Sequence, residues 1–459
     1  MAINRHDSDV RERPWTDMGN AEMLAEVYRD DARYNHRTGR WIVWDDDRWK
    51  ADTNGHIIAM AKVIPRLRYK MAADIENPEL RQKAIDYARS CEGLYRLKAM
   101  IELAETEDPL SDNGDEWDRD PYLLGVANGV LDLRTAELRQ DRREDRITIH
   151  TEIPFSPDAE CPRWEQFLRE IFIDDEELIA YIQRAIGYTL TGHFNEQYFH
   201  ILFGEGQNGK SVFMNVLTHI LGPYAFTVPF SVFEKTSRSG IPTDLAATAG
   251  KRLTIAAEVD ESVTLNEARL KAMTGGDTQA ARFPYRDTFN FKPTAKVWLI
   301  VNRKPVVTDD SHSLWRRVRL VPFLRRFEKA DKQLESKLQR EASGILLWAA
   351  VGCLLWQSEG LDAVPKAIQD ATRSYRNDSD VIGQFLAQRC SLEIRYRVSA
   401  TLLWDVFNKW RQEQGYQETR QRQFNASLES RGLHKGMHGE KRTMVWFGLD
   451  LTGVRGREG

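Results

Sequence analysis

Residues 204–211 read Gly-Glu-Gly-Gln-Asn-Gly-Lys-Ser, the spacing G-x-x-x-x-G-K-[ST]. Glycines so placed let the backbone bend tightly round an anion, with successive N–H groups pointing inward. A lysine directly after the second glycine reaches the β- and γ-phosphates, and the hydroxyl that follows it holds Mg²⁺. The spacing nominates Gly204, Gly206, Asn208, Gly209, Lys210 and Ser211 to bind ATP, with Ser211 also on the metal. Such a pattern becomes a mechanism only in context. Tyr198 to Phe203 is an apolar run of strand length, Val212 to Leu221 reads as a helix, and Gly222-Pro223 supplies a stop. Strand, glycine loop and helix follow one another as a phosphate cradle requires.

Later residues fit the same chemistry. Leu253 to Ala257 is a second apolar run, and it ends at Glu258, with Asp260 and Glu261 just beyond. An acid at the tip of a buried strand is placed to bind the Mg²⁺ shell or to activate the attacking water. An ordinary solvated strand end has the same pattern, and Asp260 and Glu261 read as loop residues. Lys296 to Val301 is a third such run, tipped by Asn302. An amide donates and accepts without charge, which suits it to hold a water in line with the γ-phosphate; a turn ahead of Pro305 is the bland alternative. Arg316 and Arg317 precede the apolar stretch Val318 to Phe323, where arginines can serve as fingers on transferring phosphates. Between the second and third runs, Arg282, Arg286 and Lys292 alternate with Phe283, Tyr285, Phe289 and Phe291 in hairpin-like sequence. Aromatics interleaved with cations suit single-stranded nucleic acid, although a structural hairpin with snorkelling arginines has the same composition.

These elements must be held by a chain of 459 residues, long enough for two to four domains. Hydrophobic residues at 41% and charged residues at 29% describe a globular protein. No run approaches the roughly 18 apolar residues of a membrane span, and the polar N-terminus has no secretory pattern, so a cytoplasmic protein without membrane contact is expected. Cys91, Cys161, Cys353 and Cys390 are scattered without a C-x-x-C pair, which points to a reducing compartment and away from a zinc ribbon. The net charge of −4 requires any DNA contact to be local, as in a ring with a basic channel and an acidic exterior.

Ala21 to Tyr28 looks helical, and Trp41 to Trp44 and Trp49 flank an acidic turn in a short hairpin for which core packing is the default. Helical patterns run from Ile57 to Glu107, broken near Asn77-Pro78 and Gly93, and an acidic connector follows to Asp120. Trp164 to Thr191 and Lys332 to Trp356 again read as helix. The tail shows helices at Ala400–Gln414 and Gln421–Arg431 and a final strand at Met444–Phe447. The divisions expected are 1–120, a hairpin and helical region; 121–196, a helical collar for oligomerisation; 197–330, the ATPase core; 331–379, a helical segment on that core; and 380–459, a small tail domain.

The order of the motifs resembles a family of phage- and plasmid-encoded primase-helicases whose motor is a superfamily 3, AAA+-type helicase. The resemblance is carried by G-x-x-x-x-G-K-S, the strand ending in Glu258, K-x-x-T-G-G-D from Lys271 to Asp277, a hairpin closing near Phe291-Lys292-Pro293, the strand ending in Asn302, and Trp315-Arg316-Arg317. Asn128 to Thr135, Cys161 to Trp164 and Ile186 to Gly192 look like that family's helical domain, and Leu403-Trp404, Phe424 and Leu428 are similar to its winged-helix-like tail.

The resemblance implies an α/β fold: a parallel-sheet AAA+-like P-loop ATPase core, a helical N-terminal domain and a small winged-helix-like C-terminal domain. It implies an ATP- and Mg²⁺-dependent DNA helicase in replication of a phage, plasmid or mobile element, working as a homo-hexamer with 3′–5′ movement along one strand. Lys210 and Ser211 would hold nucleotide and Mg²⁺, Glu258 would be the strand-end acid and Asn302 the sensor. Arg316 or Arg317 would be a finger acting in trans. Lys271 would join Arg282, Arg286 and Lys292 as the DNA-facing set in the ring channel. The second acid is open, because Ala257 and Val259 flank Glu258 and leave Asp260 or none. Primer synthesis is expected to be absent or to reside on a separate primase or replisome protein. The other reading is a DNA-binding initiator or loader whose ATPase is an assembly switch. From Ser391 onward 12 Lys and Arg face 8 Asp and Glu, a basic balance that lets the tail contact duplex DNA.

Overall fold

The computed structural model describes residues 13–235, 243–257, 263–282, 288–308, 312–416, 418–439 and 442–452. Its centre is a five-stranded sheet of β1 (Phe199–Phe203), β2 (Ala225–Pro229), β3 (Leu253–Ala257), β4 (Lys296–Val301) and β5 (Val318–Pro322). These core strands lie in the order β5-β1-β4-β3-β2, and every neighbouring pair is parallel. A parallel sheet is covered on both faces, which is why β1, β3 and β4 are near-continuous apolar runs without alternation. The fold is mixed α/β, with a parallel sheet and extensive helical regions.

One face of the sheet carries the helix Lys210–Leu221, whose Phe213 stacks on Trp164 with ring centres 5.6 Å apart. Trp164 belongs to the first of two helices, Pro162–Phe172 and Glu176–Leu190, that form the next layer. Sequence periodicity suggests one continuous helix there. The chain instead breaks at Ile173 and Asp174, both at left-handed φ (56° and 55°), and Asp175 caps the second helix by accepting from Leu178 N at 3.0 Å. The helix Ala342–Glu359 crosses Glu176–Leu190 at very short range. A Cβ on Gly187 would stand 2.1 Å from Cys353 N, so only glycine permits this crossing. Buried side chains from Leu124 to Ile368 therefore join in one core, tying the layer before the sheet and the helices after it to the sheet. Ala342–Glu359 is apolar for that reason; no single helix among the described residues is long and apolar enough to cross a membrane.

Residues 121–150, expected within a helical collar, are β-structure. Leu123–Val126, Gly129–Asp132 and Glu137–Arg139 make an antiparallel three-stranded sheet. Gly129 (φ +143°) takes a backbone that other residues avoid, with Arg139 O where a Cβ would be. Strands of three or four residues are too short for periodicity to separate strand from helix.

The N-terminal module has its own core, built from the helix Asp17–Val27, the strands Ala32–Asn35, Arg40–Asp45 and Arg48–Ala51, and four helices between His56 and Ala104. Asn77 and Gly93 stand at helix starts, where the sequence breaks predict them. Within the expected connector, Ser111–Asp112 pairs in parallel with Ala32–Asn35. Trp41 and Trp49 of the hairpin are buried: Trp49 meets Trp117 edge-on at 5.2 Å and donates to Arg143 O at 3.0 Å, which docks the module on the 111–150 segment.

The tail folds round Phe385, Phe407, Trp410, Phe424 and Trp446. Its helices are Val381–Arg389, Ala400–Glu413 and Gln421–Ser430, and its sheet has the order Cys390–Ser399, Thr443–Leu451, His434–His438. The strand Cys390–Ser399 was illegible because only one of its residues is fully buried and its register shifts between Leu392 and Arg397.

Candidate nucleotide-binding site

The glycine loop lies at the carboxyl end of β1, where open parallel sheets bind ligands. Gly206 (φ +77°), Gln207 (φ +50°) and Gly209 (φ +88°) carry the backbone through left-handed conformations into the helix Lys210–Leu221. Gly209 is compulsory for a second reason: a Cβ there would come within 2.8 Å of Ile171 Cγ2. The loop is fixed at its rim by Phe327 N, which donates to Gln207 O at 2.9 Å, and by Asn208 Nδ2, which donates to Phe323 O at 3.4 Å.

Lys210 is buried, and its ammonium donates to Gly204 O and, at 3.1 Å, to Asn208 Oδ1. Both acceptors are neutral, so burial pushes its pKa down to about 8. An ammonium held by neutral oxygens above an N–H-rich loop is set to exchange them for phosphate oxygens. Ser211, in the first turn of the helix, is exposed and free to reach a metal. These residues fit a nucleoside triphosphate with Mg²⁺.

Asn302 follows β4 directly and is exposed. Val301 pairs with Phe203, so Asn302 stands level with Gly204 at the mouth of the loop. β3 is described to Ala257, which pairs with Ile300 in the neighbouring strand. Glu258, Asp260, Glu261 and Arg286 lie outside the described residues. Among the described residues no three His, Cys, Asp or Glu gather in a metal-holding group.

Arg316 and Arg317 stand at the other end of the sheet. Arg317 O accepts from Phe199 N, and Val318 pairs with Phe199, the first residue of β1. A five-residue strand separates them from the loop by roughly 15 Å. Arg316 is exposed and donates to Gln197 Oε1 at 2.7 Å. Arg317 is half-buried and donates to Thr274 Oγ1 at 3.2 Å; burial and the adjacent Arg316 lower its pKa, with Asp277 opposing. Lys271 sits on the helix Glu267–Gly275, and Arg282 and Lys292 are exposed on the hairpin Gln279–Arg282/Thr288–Phe291 and just after it. The structure thus gathers Gly204, Gly206, Asn208, Gly209, Lys210, Ser211 and Asn302 into one cluster and keeps the arginines apart.

Sequence reasoning passed over buried groups that brace the sheet and the segment after Asn302. Glu267 is buried and accepts from Thr308 N at 2.7 Å, while Tyr375 donates to Pro305 O at 2.5 Å, so the segment after Asn302 is held from two sides. Arg252 and Lys296, at the amino ends of β3 and β4, are buried and donate to Leu190 O and Thr191 O at the end of the helix Glu176–Leu190. Cations there complement the negative helix terminus. The one available signal was a charge placed directly before an apolar run.

Comparison with known proteins covers three parts of the chain. Residues 21–173 match the family described as D5 N terminal like, 202–317 a family of unknown function (DUF5906), and 377–436 the family described as Poxvirus D5 protein-like. The chain is similar to viral proteins named as helicases and primases. "Putative helicase L207/L206" of Acanthamoeba polyphaga mimivirus is 29% identical over 294 residues, covering 59% of this chain and 30% of that protein. "Putative helicase 022R" of Frog virus 3 is 25% identical over 65% of this chain and 39% of its own length. "Putative primase C962R" of African swine fever virus (Tick/Malawi isolate) is 23% identical over 66% of this chain and 33% of its own length. The chain thus spans between three and four tenths of these relatives. Among solved structures, the A form apo structure of the NrS-1 C terminal region covers 94% of this chain and all of its own, at 10% identity and TM-score 0.50, a likeness of fold alone.

Proposed function

We propose that this chain is an ATP-dependent DNA helicase motor of the superfamily 3 type, serving replication of a viral, phage or other mobile genome. The observation that carries the reading is the cluster at the carboxyl end of β1: a buried lysine on neutral oxygens, a glycine loop, an exposed serine and a level asparagine. Bound MgATP would supply the phosphoanhydride whose cleavage drives movement. The loop N–H groups and Lys210 would hold the β- and γ-phosphates, Ser211 the metal, and Asn302 the attacking water; Glu258 and Asp260 remain candidates for the acid.

The arginines support assembly into a ring, for a physical reason. Roughly 15 Å of strand lies between Arg316 and the loop of its own chain, so a finger from this chain reaches only a neighbour's nucleotide. Arg316 is the more exposed of the two, and Arg317 braces the helix that carries Lys271. A hexamer translocating 3′–5′, with Lys271, Arg282, Arg286 and Lys292 facing the strand, is the working form proposed.

A second reading, an initiator or loader with its ATPase as a switch, draws on the tail. Three helices and a three-stranded sheet round an independent core form a winged-helix-like unit suited to duplex DNA. An unwinding assay on 3′-tailed, 5′-tailed and blunt duplexes, with wild type and Lys210→Ala and with ATPase rates in parallel, separates the two. The motor reading expects displacement that needs ATP and a 3′ tail and disappears in the variant. DNA-stimulated hydrolysis without displacement overturns it in favour of the switch.

A further inference from the structure

Asn302 is exposed at the mouth of the glycine loop, so the placement of its amide depends on how the turn after β4 is held. Two side chains near the end of the helix Lys366–Ser379 reach that turn. The Tyr375 hydroxyl donates to Pro305 O at 2.5 Å, from a buried ring that meets Trp315 edge-on at 5.2 Å. The Lys304 ammonium donates to Asp378 Oδ2 at 2.7 Å and lies 5.5 Å from the centre of the Phe203 ring, at the end of β1. Lys304 thus spans from the helix to the strand that carries the loop. Asp378 is exposed, so the ion pair adds little to stability and contributes direction instead.

The same helix end is joined to the tail without slack. A single residue, Asp380, separates Ser379 from the helix Val381–Arg389. Its carboxylate accepts from Gly383 N at 2.8 Å, which caps that helix, and from Arg431 at 2.7 and 3.1 Å, just past the helix Gln421–Ser430. Gln384 reaches back across the joint and donates to Asn377 O at 2.9 Å. Beside the joint the two units stand apart. A cleft of about 630 Å³ opens between the segment 304–308 and the helix Gln421–Ser430, lined by Val306, Tyr375, Ile382, Ala426 and Ser430. A tight joint next to open space transmits a shift of the tail to the helix instead of absorbing it.

We propose that Tyr375 and Asp378 are positioning residues for Asn302, acting through Pro305 and Lys304, and that by way of Asp380 the seating of the tail sets the rate of hydrolysis at the glycine loop. The inference rests on the reading of Asn302 as the group that holds the attacking water. Misplacing such a group by about 1 Å costs on the order of 10²-fold in rate, so a hydroxyl and an ion pair that fix the turn beyond it matter. The contacts that pin the loop itself, from Phe327 N and to Phe323 O, lie outside this set. Its signature is therefore a loss of turnover without a loss of nucleotide affinity.

The test is a set of double-mutant cycles on the full chain, with ATP turnover and fluorescent-nucleotide affinity measured together. Tyr375→Phe keeps the ring and removes only the hydroxyl; it is expected to lower kcat roughly tenfold with affinity unchanged within about twofold. Asp378→Asn, at an exposed position that leaves the fold intact, is expected to lower kcat in the same way but less. So is Asp380→Asn, which can still cap Val381–Arg389 but gives up the charge pair with Arg431. In a chain carrying Asn302→Ala none of the three should lower kcat further, because the group they place is gone. Additive losses in that background, or wild-type turnover in both Tyr375→Phe and Asp378→Asn, overturn the positioning role. Wild-type turnover in Asp380→Asn overturns the part played by the tail. Asn302→Ala at the wild-type rate, or a wild-type chain without hydrolysis, overturns the reading of Asn302 itself and the proposal with it.

Discussion

At the carboxyl end of the parallel sheet, Lys210 has Gly204 O and Asn208 Oδ1 within its own loop, and Phe327 and Phe323 pin that loop in place. At the amino end, Arg316 leans on a neutral glutamine, Arg317 on a threonine, and Arg319 keeps a buried N–H without an acceptor among the described residues. The first end is organised before its ligand arrives. The second is rich in cations, which is what the proposed finger role would need. A preorganised site contributes to turnover through its geometry, whereas an incomplete one contributes only on assembly.

Breaking the amino end is expected to have the largest effect. If the proposed finger is Arg316 or Arg317, its change to alanine should lower ATP turnover by ~10³–10⁵ with nucleotide affinity preserved. Measuring both variants decides which residue is the finger, and equal small losses would remove the contrast between the two ends. Lys210→Ala should cut turnover by ~10²–10³ and also weaken nucleotide binding, seen in steady-state kinetics and fluorescent-nucleotide titration. Gly209→Ala must adopt a φ near +88° and push Ile171, so about 1–2 kcal/mol of strain should appear as a lower midpoint in chemical denaturation.

The smallest expected effect is that of pH. Phosphate favours charged Lys210, while burial without ligand has lowered its pKa to about 8. Nucleotide affinity should therefore be flat below pH 8 and fall as pH rises above it, by at most tenfold per unit. A Lys210→Arg chain, charged throughout, should lose that dependence, and a flat wild-type profile from pH 7 to 10 would refute the assignment.

Much of the site was legible because phosphate binding is local in sequence. The loop, the strand before it and the helix after it are contiguous, so Gly204 to Ser211 announce themselves by spacing alone. Asn302 was readable because it tips an apolar strand, and its level with Gly204 then follows from parallel register. Residues 121–150 were placed in a helical collar by resemblance, and their short strands leave no periodic signal to oppose it. The tail strand Cys390–Ser399 was missed because only one of its residues is fully buried and it is bulged. Glu267, Arg252 and Lys296 were invisible as supports, since each acts on a backbone carbonyl or hydroxyl far away in sequence.

By itself, then, the sequence determined the phosphate loop, the succession of buried strands and the separate character of the tail, because turn chemistry and hydrophobic runs act over a few residues. Tertiary structure decided which end of the sheet each functional group occupies. The order β5-β1-β4-β3-β2 places Asn302 level with Gly204 and sends Arg316, Arg317 and Arg319 to the opposite end. Strand order depends on non-local pairing and on contacts such as Gly187 against Cys353, which no local pattern records.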